Sequence, residues 1–255
     1  MAKGNGRRSH RQQVDSEWTE TAGKRPLAAG TARSGLPAHV GGGRVYLARH
    51  GRTALNAAGV LRGRLDPELD FFGVFQARVL AIVLGNRDLR VVVSSPLRRA
   101  VDTASAVAER AGLQVAVDDR LIDRDYGPWA GKPLDAVLDR WGSLDDAPDI
   151  EPASAVLARA TVALADARAR AGEGAALVVS HDAVNRLLIQ AIDPTRPDIE
   201  AIPQETGCFN VLDEGEGRWS ILSINNVSGS HDVESTLDAG SAHHSAQSLE
   251  GSGHG

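Results

Sequence analysis

The 255-residue chain has a single cysteine, Cys208, which excludes an internal disulfide. No apolar run approaches the ~20 residues that a membrane-spanning helix needs, and the N-terminal stretch lacks the apolar centre of a secretory signal. A cytoplasmic protein without membrane partners is therefore expected. No cluster of carboxylates or histidines has a spacing suited to Mg²⁺ or Zn²⁺, so neither a metal nor any other cofactor is expected. Histidine itself is scarce where the sequence looks folded. Six of the eight, at positions 10, 39, 231, 243, 244 and 254, fall in the terminal stretches.

Those stretches also lack apolar periodicity. Residues 1–43 mix Gly, Ala, Arg, Lys and Ser, and residues 228–255 are Ser, Gly, His and acidic residues, so both read as disordered tails. The overall charge of −5 conceals a basic first segment and an acidic last one. Without aromatic interleaving or an amphipathic pattern, the basic arm reads as a solvated extension, and nucleic acid is not an expected partner. With 42% hydrophobic residues overall, the remaining stretch, 44–227, suffices for one domain with a sizeable core.

Within that stretch, Arg44–Ala48, Arg90–Ser94 and Ala175–Ser180 are short hydrophobic runs that read as buried strands, with a weaker strand at Gln114–Val117. Helical spacing of apolar residues predicts helices over Gly73–Leu84, from Pro96 to Ala111, Leu134–Trp141, Pro152–Ala171 and Ala183–Ile192. Asn210–Leu212 and Trp219–Ile224 read as an antiparallel pair around Glu214–Gly217. Strands alternating with helices predict a three-layer α/β/α sandwich with a mostly parallel central sheet.

The two histidines left in the folded part each follow a strand, in Arg49-His50-Gly51 and Ser180-His181-Asp182. Open α/β sheets place their chemistry in the crevice above strand C-termini, so His50 and His181 are expected to share one site. Arg49 adjoins the first histidine, and Arg98 and Arg99 follow the second strand. Guanidinium forks match phosphoryl oxygens, and a neutral imidazole can attack phosphorus. The pattern asks for a phosphate.

These residues resemble the histidine phosphatase superfamily, also known as the phosphoglycerate mutase-like clan, from about Arg44 to Val227. The resemblance rests on Arg49, His50, Gly51, Thr53 and Asn56, on Ser94-Ser95-Pro96-Leu97-Arg98-Arg99-Ala100 with Thr103 and Ala104, and on Val178-Val179-Ser180-His181. Gly63, Asp66, Leu69, Gly73, Gln76 and Ala77 match the connecting loop and helix. The resemblance implies a phosphoglycerate mutase-like fold and a metal-independent phosphomonoesterase acting on a small phosphorylated metabolite. His50 would carry the phosphoryl group, while Arg49, Arg99 and His181 would hold its oxygens. Asp123 would be the general acid in Leu121-Ile122-Asp123-Arg124-Asp125-Tyr126-Gly127. Thr53, Asn56, Arg62, Gly63, Arg124 and Asp182 are the candidates for holding the phosphate or the rest of the substrate. A homodimer is a further implication.

The sequence departs from the family at four places: Asp123 replaces the usual Glu, Arg52 a frequent Glu, Leu55 a frequent Trp, and Asp182 a common Gly. An aspartate is shorter by about one C–C bond, ~1.5 Å, so either the acid loop sits closer to the phosphate or another group, with Asp125 next in line, supplies the proton. A cofactor-dependent phosphoglycerate mutase shares the same site and is the alternative activity. It is disfavoured by the short stretch between Asp123 and His181, where such mutases carry an insertion. A catalytically inert phosphate-binding or interaction module is the remaining alternative. Trp129 is expected to be a packed loop anchor and Cys208 a buried small apolar residue.

Overall fold

The computed structural model of the chain describes residues 43–196 and 198–227. The segments expected to be disordered tails lie outside these, apart from Gly43. In chain order the elements are β1 (Gly43–Arg49), α1 (Ala54–Ala57), α2 (Phe71–Leu84), β2 (Leu89–Ser94), α3 (Arg98–Ala111), β3 (Val115–Val117), α4 (Leu134–Trp141), α5 (Ala153–Ala171), β4 (Ala175–Ser180), α6 (Asp182–Ile192), β5 (Phe209–Gly215) and β6 (Arg218–Asn226). The strands form one sheet in the order β3-β2-β4-β1-β5-β6. The first four in that order run parallel, and β5 runs antiparallel to both β1 and β6. This is the expected mostly parallel α/β architecture. No described helix is long and apolar enough to cross a membrane.

The middles of the central strands are continuous apolar runs because both faces are covered. Val45 and Leu47 of β1, Val91 and Val93 of β2, and Ala176 and Val178 of β4 pack against α5 and α6. The alternate residues Tyr46, Ala48, Val92, Leu177 and Val179 pack against α2 and α3. A smaller cluster of Leu61, Tyr126, Val137 and Ala147 joins α4 to the loops over the sheet. It includes Trp129, whose indole N–H donates to the Pro148 carbonyl at 3.0 Å, as a loop anchor does.

The helix expected from Pro96 begins two residues later, because the Asp66 carboxylate accepts from the Arg98 amide at 2.7 Å and so caps the helix there. α1 went unread because it is a single turn. It is held by a reciprocal cap in which Thr53 and Asn56 bond each other's backbone amides. The closing pair β5 and β6 is longer than its apolar residues suggested, since pairing continues through Asp213, Glu214 and Gly215.

The loop after β1 is pressed onto the first turn of α2. A Cβ on Gly73 would lie 2.0 Å from the Arg52 carbonyl oxygen, and one on Gly51 would lie 2.5 Å from the Gly73 oxygen. Alanine favours a helix over glycine by about 1 kcal/mol, yet Gly73→Ala should lower stability by roughly 1–3 kcal/mol, the usual cost of forced overpacking. Urea denaturation of the variant checks this. An unchanged or raised midpoint would mean that the loop and helix separate freely.

Candidate active site

The three loops that bear the chemistry leave the sheet side by side. β4 lies between β1 and β2, with Arg49 opposite Ser180 and Ser94 opposite Val179. The ladder continues one step beyond the strands through His50 N to Ser180 O at 3.1 Å and Ser95 N to Val179 O at 3.0 Å. α2 and α3 cover one face and α6 the other, so the chain diverges above β4 and leaves a crevice there. α3 and α6 also begin at this level, with His181 as the N-cap of α6. Their N-terminal partial charges favour an anion.

His50 and His181 are fully buried, with ring centroids 5.1 Å apart. His50 Nδ1 lies 2.7 Å from the Gly51 carbonyl. A carbonyl can only accept, so the proton sits on Nδ1 and Nε2 keeps its lone pair. That lone pair accepts from Arg99 Nε at 3.1 Å. His181 Nε2 lies 2.6 Å from Ser95 Oγ, and that hydroxyl already accepts from the Leu97 amide. Donation of the Ser95 hydroxyl proton to His181 Nε2 leaves the imidazole proton on Nδ1, which has no hydrogen-bond partner among the described residues. Burial, then the positive charge of Arg99, holds both rings well below the ordinary imidazole value, so both are neutral near pH 7.

Arg99, rather than its exposed neighbour Arg98, is the guanidinium inside the site, as the motif implied. Besides His50, it donates to the Leu65 carbonyl at 2.7 Å, the Gly63 carbonyl at 3.0 Å and Asp123 Oδ2 at 3.1 Å. Gly63 thus contributes a brace for Arg99. Its φ of +50° and the 2.9 Å that would separate a Cβ from the Arg124 carbonyl oxygen both demand glycine. Arg49 donates to the Gln204 carbonyl and lies 3.8 Å from Asp182, while its Nε is unpartnered.

Asp123 is buried beside both Arg99 and His181, with Oδ2 3.8 Å from His181 Nδ1. The loop that carries this shorter acid is tethered to β4 and α5. Ser180 Oγ donates to the Leu121 carbonyl at 2.9 Å. Arg159 of α5 donates to the carbonyls of Arg120, Ile122 and Asp123 at 2.8, 2.5 and 3.2 Å. Burial raises the Asp123 carboxyl above its ordinary value against the attraction of Arg99 and Arg62. Asp125 instead pairs with Arg64 at 3.1 Å and accepts from the Gly127 amide.

The remaining expected residues divide into two groups. Thr53 is buried and braces the loop through Asn56, whose Nδ2 is without a partner among the described residues. Arg62 Nε is likewise buried and unpartnered. Arg62, Arg124 and Asp182 line the mouth of a cavity of about 540 Å³. Arg124 is engaged there by Asp145 and by the Glu151 carbonyl. Sequence reasoning gave no role to Arg159, Gln204 or the cavity wall at Asp198–Glu200. None of them stands in a motif, and only the folded chain brings them near the histidines. Cys208 is buried, and burial pushes its thiol up to about 12, which suits a small apolar residue.

The depressed imidazoles make stability depend on pH. Below about pH 6.5 the unfolded chain takes up protons that buried His50 and His181 refuse. Their contribution is thus complete above that value and is lost as pH falls toward the folded-state values, by roughly 1 kcal/mol per pH unit for each ring. Asp123, raised by burial, acts with the opposite sign and loses its contribution as pH rises through its folded-state value. The difference between wild type and His50→Gln in denaturation midpoints from pH 7.5 to 5.5 isolates one ring. The variant should show the shallower acid loss, and parallel curves would mean that His50 protonates freely in the fold.

Comparison with known proteins agrees with this geometry. The pattern defining the histidine phosphatase superfamily (branch 1) matches residues 45–227. Glucosyl-3-phosphoglycerate phosphatase of Mycobacterium tuberculosis (strain ATCC 25618 / H37Rv) is 47% identical over 88 residues, a stretch that is 34% of this chain and 40% of that protein. The uncharacterized phosphatase PhoE of Bacillus subtilis (strain 168) is 28% identical over 181 residues, covering 71% of this chain and 93% of the other. The solved structure of the mycobacterial glucosyl-3-phosphoglycerate phosphatase with VO3 superposes with a TM-score of 0.64 and 30% identity, over 71% of this chain and 98% of that one. With the family pattern running from β1 past β6, and both histidines and Arg99 meeting above the sheet, the chain belongs to the histidine phosphatase superfamily, branch 1.

Proposed function

We propose that the protein is a metal-independent phosphomonoesterase that hydrolyses a small phosphorylated metabolite through a phosphohistidine on His50. One observation carries this reading. The His50 ring lies 5.1 Å from that of His181 and under the charge of Arg49 and Arg62, and each of these three neighbours keeps a buried N–H group that has no acceptor among the described residues. Buried donors without partners are costly, and a phosphoryl group supplies the missing acceptors. The relatives reported above are named phosphatases, and one of them was solved with VO3.

In the first step His50 Nε2 forms a bond to phosphorus as the bond from phosphorus to the leaving oxygen breaks. Asp123, whose hold on a proton burial strengthens, gives its proton to the departing alkoxide. The equatorial oxygens gather charge during transfer. Arg49, Arg62 and Arg99 meet it with guanidinium N–H groups, and His181 with its free Nδ1 proton. Three guanidinium groups supply the positive charge that a metal ion supplies in other phosphatases. In the second step the Asp123 carboxylate takes a proton from water, the oxygen attacks phosphorus, and the bond to His50 breaks to release phosphate. Arg159 acts through the backbone, as a positioning residue for Asp123.

Turnover should release inorganic phosphate in excess EDTA and be inhibited by vanadate, which imitates the five-coordinate transition state. An acid-labile, base-stable phosphoryl label should appear on His50, and His50→Ala should lose label and activity together. A label elsewhere, or activity that returns only with Mg²⁺, overturns the reading. Transfer of the label to a second substrate molecule instead of water would make the protein a mutase.

The role of Asp123 has its own signature. Asp123→Asn should slow formation of the phosphohistidine from alkyl phosphates by about 10²–10⁴-fold, because the alkoxide needs a proton. It should slow the same step with p-nitrophenyl phosphate far less, since nitrophenolate leaves unaided. Rapid-quench rates on both substrates make the comparison, and equal losses would move the acid to another group.

A further inference from the structure

The cavity beside the phosphate site is lined by charge that is already neutralised. Arg124 is held by Asp145 and by the Glu151 carbonyl. Arg186 donates to Asp182 at 2.7 Å and to the Ile199 carbonyl at 3.1 Å, and it also contacts Glu200. Asp198 adds a further carboxylate to the same wall. Arg62 differs from these arginines. Among the described residues it forms no ion pair, and its Nη1 donates only to the Val60 carbonyl at 3.1 Å. Its charge acts on His50, His181, Arg49, Arg99 and Asp123, so it belongs to the phosphate side of the cavity.

Between these polar groups the lining is apolar, formed by Leu134, Leu138, Leu144, Leu187 and Ile199. A second anionic group on the substrate would have to break an arginine pair or lie against Asp145, Asp182, Asp198 and Glu200 unaided. Both outcomes are unfavourable, since the first gives up an existing ion pair and the second sets the anion against the exposed carboxylates of Asp145, Asp198 and Glu200. A hydroxyl or amine instead finds carboxylate acceptors at the rim, and an apolar face finds the leucines. A cavity of about 540 Å³ admits a group the size of a sugar or nucleoside.

We infer that the leaving group is an uncharged alcohol of sugar to nucleoside size, with an apolar face and hydrogen-bond donors, and that it carries neither a carboxylate nor a second phosphate. Arg62 contacts the transferred phosphoryl group, and the cavity selects by refusing further negative charge. This rests on the phosphomonoesterase reading and narrows its substrate class.

Glycerol 3-phosphate and 3-phosphoglycerate form a matched pair, because they differ only in a hydroxymethyl group against a carboxylate. The expected ratio of kcat/KM is at least about tenfold in favour of glycerol 3-phosphate, as like-charge contacts with several carboxylates are costly. Leu138→Arg places an unpaired cation in the apolar wall and should shrink that ratio about tenfold or reverse it. The ratio within one enzyme preparation does not depend on how much of it is folded. Arg62→Gln should lower kcat/KM on both substrates and leave their ratio within about twofold, as expected of a group that binds the shared phosphate. A wild-type preference for 3-phosphoglycerate, or a selective loss on 3-phosphoglycerate in Arg62→Gln, overturns the inference and leaves the phosphatase reading intact. If neither substrate nor p-nitrophenyl phosphate is hydrolysed, the phosphatase reading falls and takes the inference with it.

Discussion

A guanidinium shut away from water needs an answer for its N–H groups, and the loops above the sheet are arranged around that need at Arg99. Its four acceptors come from three separate segments: the ring of His50, the carbonyls of Gly63 and Leu65, and the carboxylate of Asp123. An unpaired charge at this depth would cost several kcal/mol. Each of these segments is therefore tied to α3 as well as to its own neighbours. The loop through Gly63 and Leu65, the acid loop at Asp123 and the nucleophile loop at His50 all converge on this one buried charge.

Much of this was legible in the sequence because it depends on short, local signals. Continuous apolar runs marked the buried strands, and residues just beyond those runs, Arg49, His50, Arg99 and His181, gave the site its members. Asp123 was legible too, although only the structure shows how a short acid reaches the cluster, since Arg159 belongs to α5 and acts on carbonyls far away in the chain. The start of α3 was misjudged by two residues because its cap, Asp66, comes from another loop. The roles of Arg62 and Arg124 depend equally on distant partners. Arg124 meets Asp145, whereas Arg62 forms no ion pair among the described residues, which no pattern of neighbouring residues records.

The site and the cavity beside it solve opposite electrostatic problems. Around His50 there is an excess of N–H donors without acceptors, a standing demand for anionic oxygen. A few ångströms outward the demand is for neutrality, since each arginine there already has its carboxylate. Membership of the superfamily speaks to the first environment. The second is built from residues of α4, α6 and the segment around Ile199, which the shared motifs leave free to vary.

The strands themselves have a further property. Because β1, β2 and β4 are apolar on both faces, sliding one of them by a residue would exchange one set of aliphatic side chains for another, and the oily layers alone discriminate weakly against it. The polar residues at their ends do not tolerate such a slip, since Arg49 must stand beside Ser180 and Ser94 beside Val179 for the hydrogen bonds above the sheet to close. The reactive groups therefore serve as alignment marks for the chain. A molecule that assembled one notch out of place would keep most of its oil and lose its chemistry, so turnover reports correct strand assembly more sensitively than does any measure of helix or sheet content.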